Sequence, residues 1–188
     1  MIAIFDYGAG NLRSVQNTLA ELHCQYTLVN DSAGLTAATK IILPGVGHFG
    51  QMMRALDALD VRQTLIDRIR AGVPFFGICL GMQALFESSE EAPEVRGLGL
   101  YPGIVRRFPA GARVPHMGWN QLEPDGRYVY FAHSYYVPEC PQTSAACTYG
   151  LRFTAMLHAA NVHGVQFHPE KSGPVGLKIV RNFLELPC

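Results

Sequence analysis

The chain has 188 residues, 48% hydrophobic and 16% charged, a composition that can bury a sizeable core and that carries no sign of disorder. Fifteen basic residues balance fifteen acidic ones, so no long-range field draws the protein to nucleic acid or a lipid surface, and partners must be recognised by shape and local chemistry. No apolar run approaches the roughly 20 residues that cross a bilayer, the N-terminus lacks a leader pattern, and five cysteines without a C-x-x-C pair argue against disulfides and thiolate zinc. The expectation is a cytoplasmic protein with reduced thiols, no metal and no cofactor.

In chain order, Ile2 to Phe5 reads as a strand, and Leu12, Val15, Leu19 and Leu22 recur at helical spacing. Gln25 to Val29 and Ile41 to Leu43 give the next strands, followed by helical segments at Met52 to Leu59 and Val61 to Ile69. Val73 to Cys79 is the fourth strand, and a helix opens at Leu80. This alternation predicts an α/β fold of three layers, a flavodoxin-like, mostly parallel sheet with helices on both faces. Beyond about Gly97 the chain turns aromatic and β-branched, and Gly103 to Phe108, Arg127 to Val137 and Ala145 to Tyr149 read as extra antiparallel strands. Phe153 to Leu157 and Val162 to Phe167 form a further hairpin, and Gly176 to Leu186 is the closing helix. Without repeats or an evident linker, residues 1–188 are expected to be one domain.

Gly77-Ile78-Cys79-Leu80-Gly81 places a cysteine at a strand-to-helix junction between two glycines, the thiol version of a nucleophile elbow. The glycines remove β-carbons that would collide at a tight turn, the helix N-terminus favours the thiolate, and the Leu80 amide can donate to an oxyanion. A buried cysteine filling a gap is the plain alternative. Among the seven histidines, His168 ends an apolar strand and precedes Pro169 and Glu170, which sets a carboxylate two residues from the imidazole. Cys79, His168 and Glu170 together suggest nucleophile, base and orienting acid. Gly45-Val46-Gly47-His48-Phe49-Gly50 matches the dinucleotide pattern G-x-G-x-x-G, yet Pro44 precedes it and a helix occupies the place of the second strand. Such a turn serves equally as a source of backbone amides near an oxyanion. His133 and Ser134 are adjacent, so in a strand they face opposite ways and make no hydrolase pair.

The segments GAGNL, PGVGHFG, GICLGMQALFE, GLGLYPG, PHMGWN, YVYFAHSYY and GVQFHPEKSG resemble, in that order, the class I (triad) glutamine amidotransferases. Within them the chain is similar to the glutaminase subunits of imidazole glycerol phosphate synthase, a histidine-biosynthesis enzyme. The resemblance implies that Cys79 is the nucleophile, His168 the base and acid, and Glu170 its partner. It implies oxyanion amides at Leu80, Val46 and Gly47, and a glutamine site made by Gly45, Gln83, Glu91, Ser134 and Tyr135. It places Asn11, Trp119, Tyr130 and Lys171 on the face that meets a separate (β/α)8-barrel cyclase subunit, which would use the ammonia. A chain of this length implies that glutaminase and cyclase are encoded separately. Glutaminase service to another synthase, or a cysteine redox sensor on a similar fold, remain the alternatives.

Overall fold

The computed structural model describes residues 1–9 and 12–187, which leaves the expected interface residue Asn11 outside the described residues. β1 (Ile2–Phe5) leads to α1 (Leu12–Glu21), β2 (Tyr26–Val29), α2 (Ser32–Ala37) and β3 (Lys40–Leu43). Two helices, α3 (Phe49–Ala58) and α4 (Arg62–Arg70), return the chain to β4 (Phe75–Ile78) and the short α5 (Leu80–Gln83). The second half is mostly strand: β5 (Phe86–Ser89), β6 (Tyr101–Arg107), β7 (His116–Gln121), β8 (Tyr128–His133), β9 (Tyr135–Tyr136), β10 (Thr143–Tyr149), β11 (Leu151–Ala159) and β12 (Val162–Val165). A 3-10 turn at Pro169–Lys171 precedes α6 (Gly173–Leu184).

Seven strands form the central sheet in the order β10-β11-β12-β4-β3-β1-β2. The five from β12 to β2 run parallel, and β10 and β11 extend the sheet antiparallel. Because successive strand residues point to opposite faces, each parallel strand feeds two cores. Ala3, Phe5, Ile41, Leu43 and Phe75 pack with Leu35 of α2, Met52 and Leu56 of α3 and Leu65 of α4. Ile4, Ile42, Phe76 and Ile78 pack on the other face with Val15 and Leu19 of α1 and Ile179 and Phe183 of α6. This is the three-layer, mostly parallel α/β architecture that the apolar alternation predicts. The resulting order puts the carboxyl ends of β3, β4 and β12 side by side, so the turns that follow them share one end of the sheet.

The structure departs from the sequence reading in specific places. The helix after Cys79 is one turn long, Leu80–Gln83, and brings no sizeable dipole to the thiol. The expected single strand Arg127 to Val137 breaks at Ser134, because β8 pairs with β7 while β9 pairs with β6. β7 itself is a strand that the sequence reading passes over, since its inward positions carry the polar His116 and its outward ones Met117 and Trp119. α2 is missed for want of apolar periodicity: Leu35 is its one buried residue, and Asp31 caps it by accepting from the Gly34 amide.

Candidate functional site

Cys79 leaves β4 with φ 53° and ψ −108°, a conformation that a residue with a β-carbon adopts only when its surroundings force it. The forcing is visible on both sides of the elbow. The Cys79 amide donates to the Val165 carbonyl of β12 at 2.7 Å. A β-carbon on Gly77 would meet the Gly81 carbonyl at 2.6 Å, and one on Gly81 would meet the Leu43 carbonyl at 2.0 Å. The two glycines let the elbow fold on itself and press against the end of β3.

His168 lies just past the end of β12, the strand that pairs with β4. Its backbone amide donates to the Tyr130 carbonyl, and the Ser172 hydroxyl donates to the His168 carbonyl at 2.7 Å. The imidazole Nδ1 meets Glu170 Oε1 at 2.8 Å, and both side chains are almost fully buried. The carboxylate can only accept when ionised, so Nδ1 carries a proton and Nε2 is left for other work. Burial opposes the imidazolium, but interaction with the Cys79 sulfur and the Glu170 carboxylate outweighs it and raises His168 to about 10. The Cys79 sulfur and the imidazole therefore act on one another, and the second Glu170 oxygen, Oε2, is buried without a hydrogen-bond partner among the described residues.

Beside Cys79 opens a cavity of about 280 Å3 lined in part by Val46, Gly47, Leu80, Gln83, Glu91, Ser134 and Tyr135. That is small-molecule scale. Seven of the sequence-expected residues thus surround one space with Cys79. Gly45 stands behind the lining, held where a β-carbon would strike Leu80 Cβ at 2.7 Å and the Gly81 amide nitrogen at 2.8 Å. Its carbonyl accepts from the Leu80 amide at 3.4 Å, so the amide expected to serve an oxyanion is engaged with the turn after β3. The same turn is tied by the Tyr7 hydroxyl, which donates to the Val46 carbonyl at 3.2 Å. Burial pushes the Tyr7 hydroxyl up to about 12, so it remains a donor throughout the neutral range. Glu91 accepts from the Phe49 amide at 2.7 Å at the start of α3.

The G-x-G-x-x-G turn leads into α3 and then α4, not into a strand of a dinucleotide fold. Val46 and Gly47 of that turn supply part of the wall of the Cys79 cavity. Along the mouth of the cavity, Met117 and Ala132 belong to the β7–β8 ribbon. On that ribbon Trp119, 56% exposed, sits edge-on to Tyr130 at 6.0 Å, and Lys171 Nζ lies 5.8 Å from the Tyr130 ring centre. Three expected interface residues therefore form one patch, which exposed Met117 and Tyr128 extend.

Sequence reasoning missed two polar groups, Tyr7 and Gln166, and set a third, His133, aside. Tyr7 follows β1 and reaches the turn after β3. Gln166, fully buried, donates from Nε2 to Cys79 Sγ at 3.5 Å. His133 is buried against the Tyr135 carbonyl at 2.7 Å, and burial lowers it to about 3. The legible signal was a polar residue inside an apolar run, as in Val165-Gln166-Phe167, which must find a buried partner.

Comparison with known proteins bears on this geometry. The family model "Glutamine amidotransferase class-I" matches residues 3–186. A protein of Methanothermobacter thermautotrophicus named imidazole glycerol phosphate synthase subunit HisH is 47% identical over 99% of this chain and 98% of its own length. The protein of the same name from Desulfitobacterium hafniense strain Y51 is 50% identical over 97% of this chain and 93% of its own. A crystal structure described as glutamine amidotransferase superposes with a TM-score of 0.79 at 20% identity, covering 98% of this chain and 97% of that one. The PurLQS structure from Thermotoga maritima gives 0.73 at 19% identity, covering 97% and 96%, and both show the shared fold. A family match across nearly the whole chain, together with relatives near half identity, decides the matter: the chain belongs to the class-I glutamine amidotransferases.

Proposed function

We propose that the chain is the glutaminase subunit of an imidazole glycerol phosphate synthase, acting as one domain in histidine biosynthesis. Glutamine would enter the cavity beside Cys79. The Cys79 sulfur attacks the side-chain amide carbon, His168 gives its Nε2 proton to the departing nitrogen, and the carbon–nitrogen bond breaks to release ammonia. Water then attacks the glutamyl thioester, surrendering a proton to His168. The carbon–sulfur bond breaks and glutamate leaves. Glu170 keeps the imidazole in the tautomer that offers Nε2 and stabilises its cation.

The observation that carries this reading is the strained Cys79 at the end of β4, beside a buried His168–Glu170 pair at the end of the neighbouring strand. Gln83 keeps only its carbonyl oxygen for a ligand, because both amide hydrogens are spent on Tyr135 O and Gln166 Oε1, each at 3.0 Å. It therefore accepts from the substrate, and Glu91 faces the ammonium group.

The ammonia must reach an acceptor before solvent protonates it, so a partner is part of the reading. The patch of Trp119, Tyr130 and Lys171, continuous with the cavity mouth through Met117, is where a (β/α)8-barrel cyclase would dock. With the Gly45 carbonyl on the Leu80 amide, the oxyanion site is incomplete, and the Gly45–Val46 peptide must rotate to free it. Docking would favour the rotated state, which leaves the isolated subunit nearly inactive. The test is glutamate release with and without the cyclase and its nucleotide ligand. A large stimulation is expected; equal rates would contradict it, and ammonia consumed only with another acceptor would point to a different synthase.

A further inference from the structure

The triad leaves unexplained a buried amide pair that ends on the nucleophile. β12 and β4 pair in parallel with Val165 opposite Ile78, so the next residues, Gln166 and Cys79, are brought together as the two strands end. Gln166 is fully buried and Gln83 is 4% exposed, a placement that two amides occupy only when their hydrogen bonds are met. Their orientations follow from one fixed acceptor. The Tyr135 carbonyl cannot donate, so both groups that meet it must: Gln83 through Nε2 at 3.0 Å and His133 through Nδ1 at 2.7 Å.

The second hydrogen on Gln83 Nε2 then goes to Gln166 Oε1 at 3.0 Å. That bond turns Gln166 Nε2, and with it a hydrogen, toward Cys79 Sγ at 3.5 Å. The His133 ring is locked in turn, since its Nε2 faces His116 Nδ1 at 3.0 Å and must accept. Two donors thus converge on the Tyr135 carbonyl, His133 from one side and Gln83 from the other, and the remaining Gln83 N–H fixes Gln166 so that its own N–H is aimed at sulfur.

We propose that Gln166 is a catalytic residue of this site: its amide donates to the Cys79 thiolate, held in that orientation by Gln83 and the Tyr135 carbonyl. The proposal rests on the glutaminase reading, in which that sulfur is the reacting atom. A buried thiolate is expensive unless it receives hydrogen bonds, and an amide supplies one without itself titrating. The same bond favours sulfur as the leaving group when the thioester is hydrolysed.

The test is the rate of Cys79 alkylation by iodoacetamide across pH, followed on the Cys79 peptide by mass, in wild type, Q166M, Q166E and Q83M. For Q166M, alkylation at pH 7 is expected to slow about tenfold and the half-maximal pH to rise by about one unit. Q166E keeps the side-chain size but sets a carboxyl against sulfur, and its profile is expected to move further up. Q83M, which releases the Gln166 amide, is expected to move in the same direction by less. Thermal melting reports the fold; should Q166M fail to fold, Q166E and Q83M decide. Profiles that coincide with wild type in variants that melt normally would overturn the proposal, as would faster alkylation at pH 7, the mark of a mere shield. Glutamine turnover of the wild-type complex is measured alongside: its absence would sink the glutaminase reading, whereas normal turnover with unmoved profiles would sink the relay alone.

Discussion

At the scale of single residues, the pairing of His168 Nδ1 with Glu170 Oε1 at 2.8 Å makes a sharp demand on the carboxylate. E170Q preserves shape but can present an amide N–H to Nδ1, which forces the neutral imidazole into the tautomer protonated at Nε2, so that Nε2 can no longer accept a proton from the thiol or from water. Turnover of the complex is expected to fall about a hundredfold or more with KM little changed. A loss under threefold, read from steady-state glutamate release, would show that the carboxylate only packs. The candidate triad was legible at this scale because its local signals are strong: glycines two positions either side of Cys79, and a carboxylate two residues from a strand-end histidine. Gln166 and Tyr7 were not, because their partners are Cys79 and Val46, residues that only strand pairing brings near.

Among the elements, the elbow joins fold to chemistry most tightly. Gly81 touches the end of β3 so closely that a β-carbon would lie 2.0 Å from the Leu43 carbonyl, and backbone cannot step aside as a flexible side chain can. G81A is expected to destabilise the protein by about 3 kcal/mol in urea unfolding, and to lose Cys79 reactivity in the fraction that still folds. A near-neutral effect would mean that the junction is loose. The parallel strands were readable from apolar runs because both faces are buried, whereas β7 was hidden by an inverted pattern. Its inward His116 stacks on Tyr149 at 4.0 Å and on Phe131 at 4.7 Å, and its outward Trp119 is left in solvent. With Met117, Tyr128 and Tyr130 beside it, Trp119 belongs to a contiguous patch that fits the proposed docking face. W119A is expected to leave the melting temperature within a degree or two while weakening cyclase affinity by about tenfold, measured by titration calorimetry.

For the molecule as a whole, buried neutral histidines set the response to acid. Burial lowers His116 to about 4, His133 to about 3 and His163 to about 4, so the folded protein resists protons that the unfolded chain accepts near its ordinary value of 6.5. Stability is present above 6.5 and is lost as pH falls from there toward 4. The melting temperature is expected to drop steadily across that window, and a flat profile would contradict the burial. His168 has the opposite sign: its folded value is raised to about 10, so its contribution is complete below 6.5 and disappears as pH climbs through 10. At this scale the sequence foretold the layers but not how β7 and β8 form a separate ribbon at the cavity mouth, since the break at Ser134 depends on pairing with β6.

Mixing the chain and its cyclase with glutamine, quenching in acid during turnover and weighing the peptide that contains Cys79 is the most direct measurement. A glutamyl group on Cys79, absent in C79A along with all glutamate release, is the expected result. Glutamate formed at an undiminished rate by C79A, with no adduct on the wild-type peptide, would contradict a thioester at this sulfur.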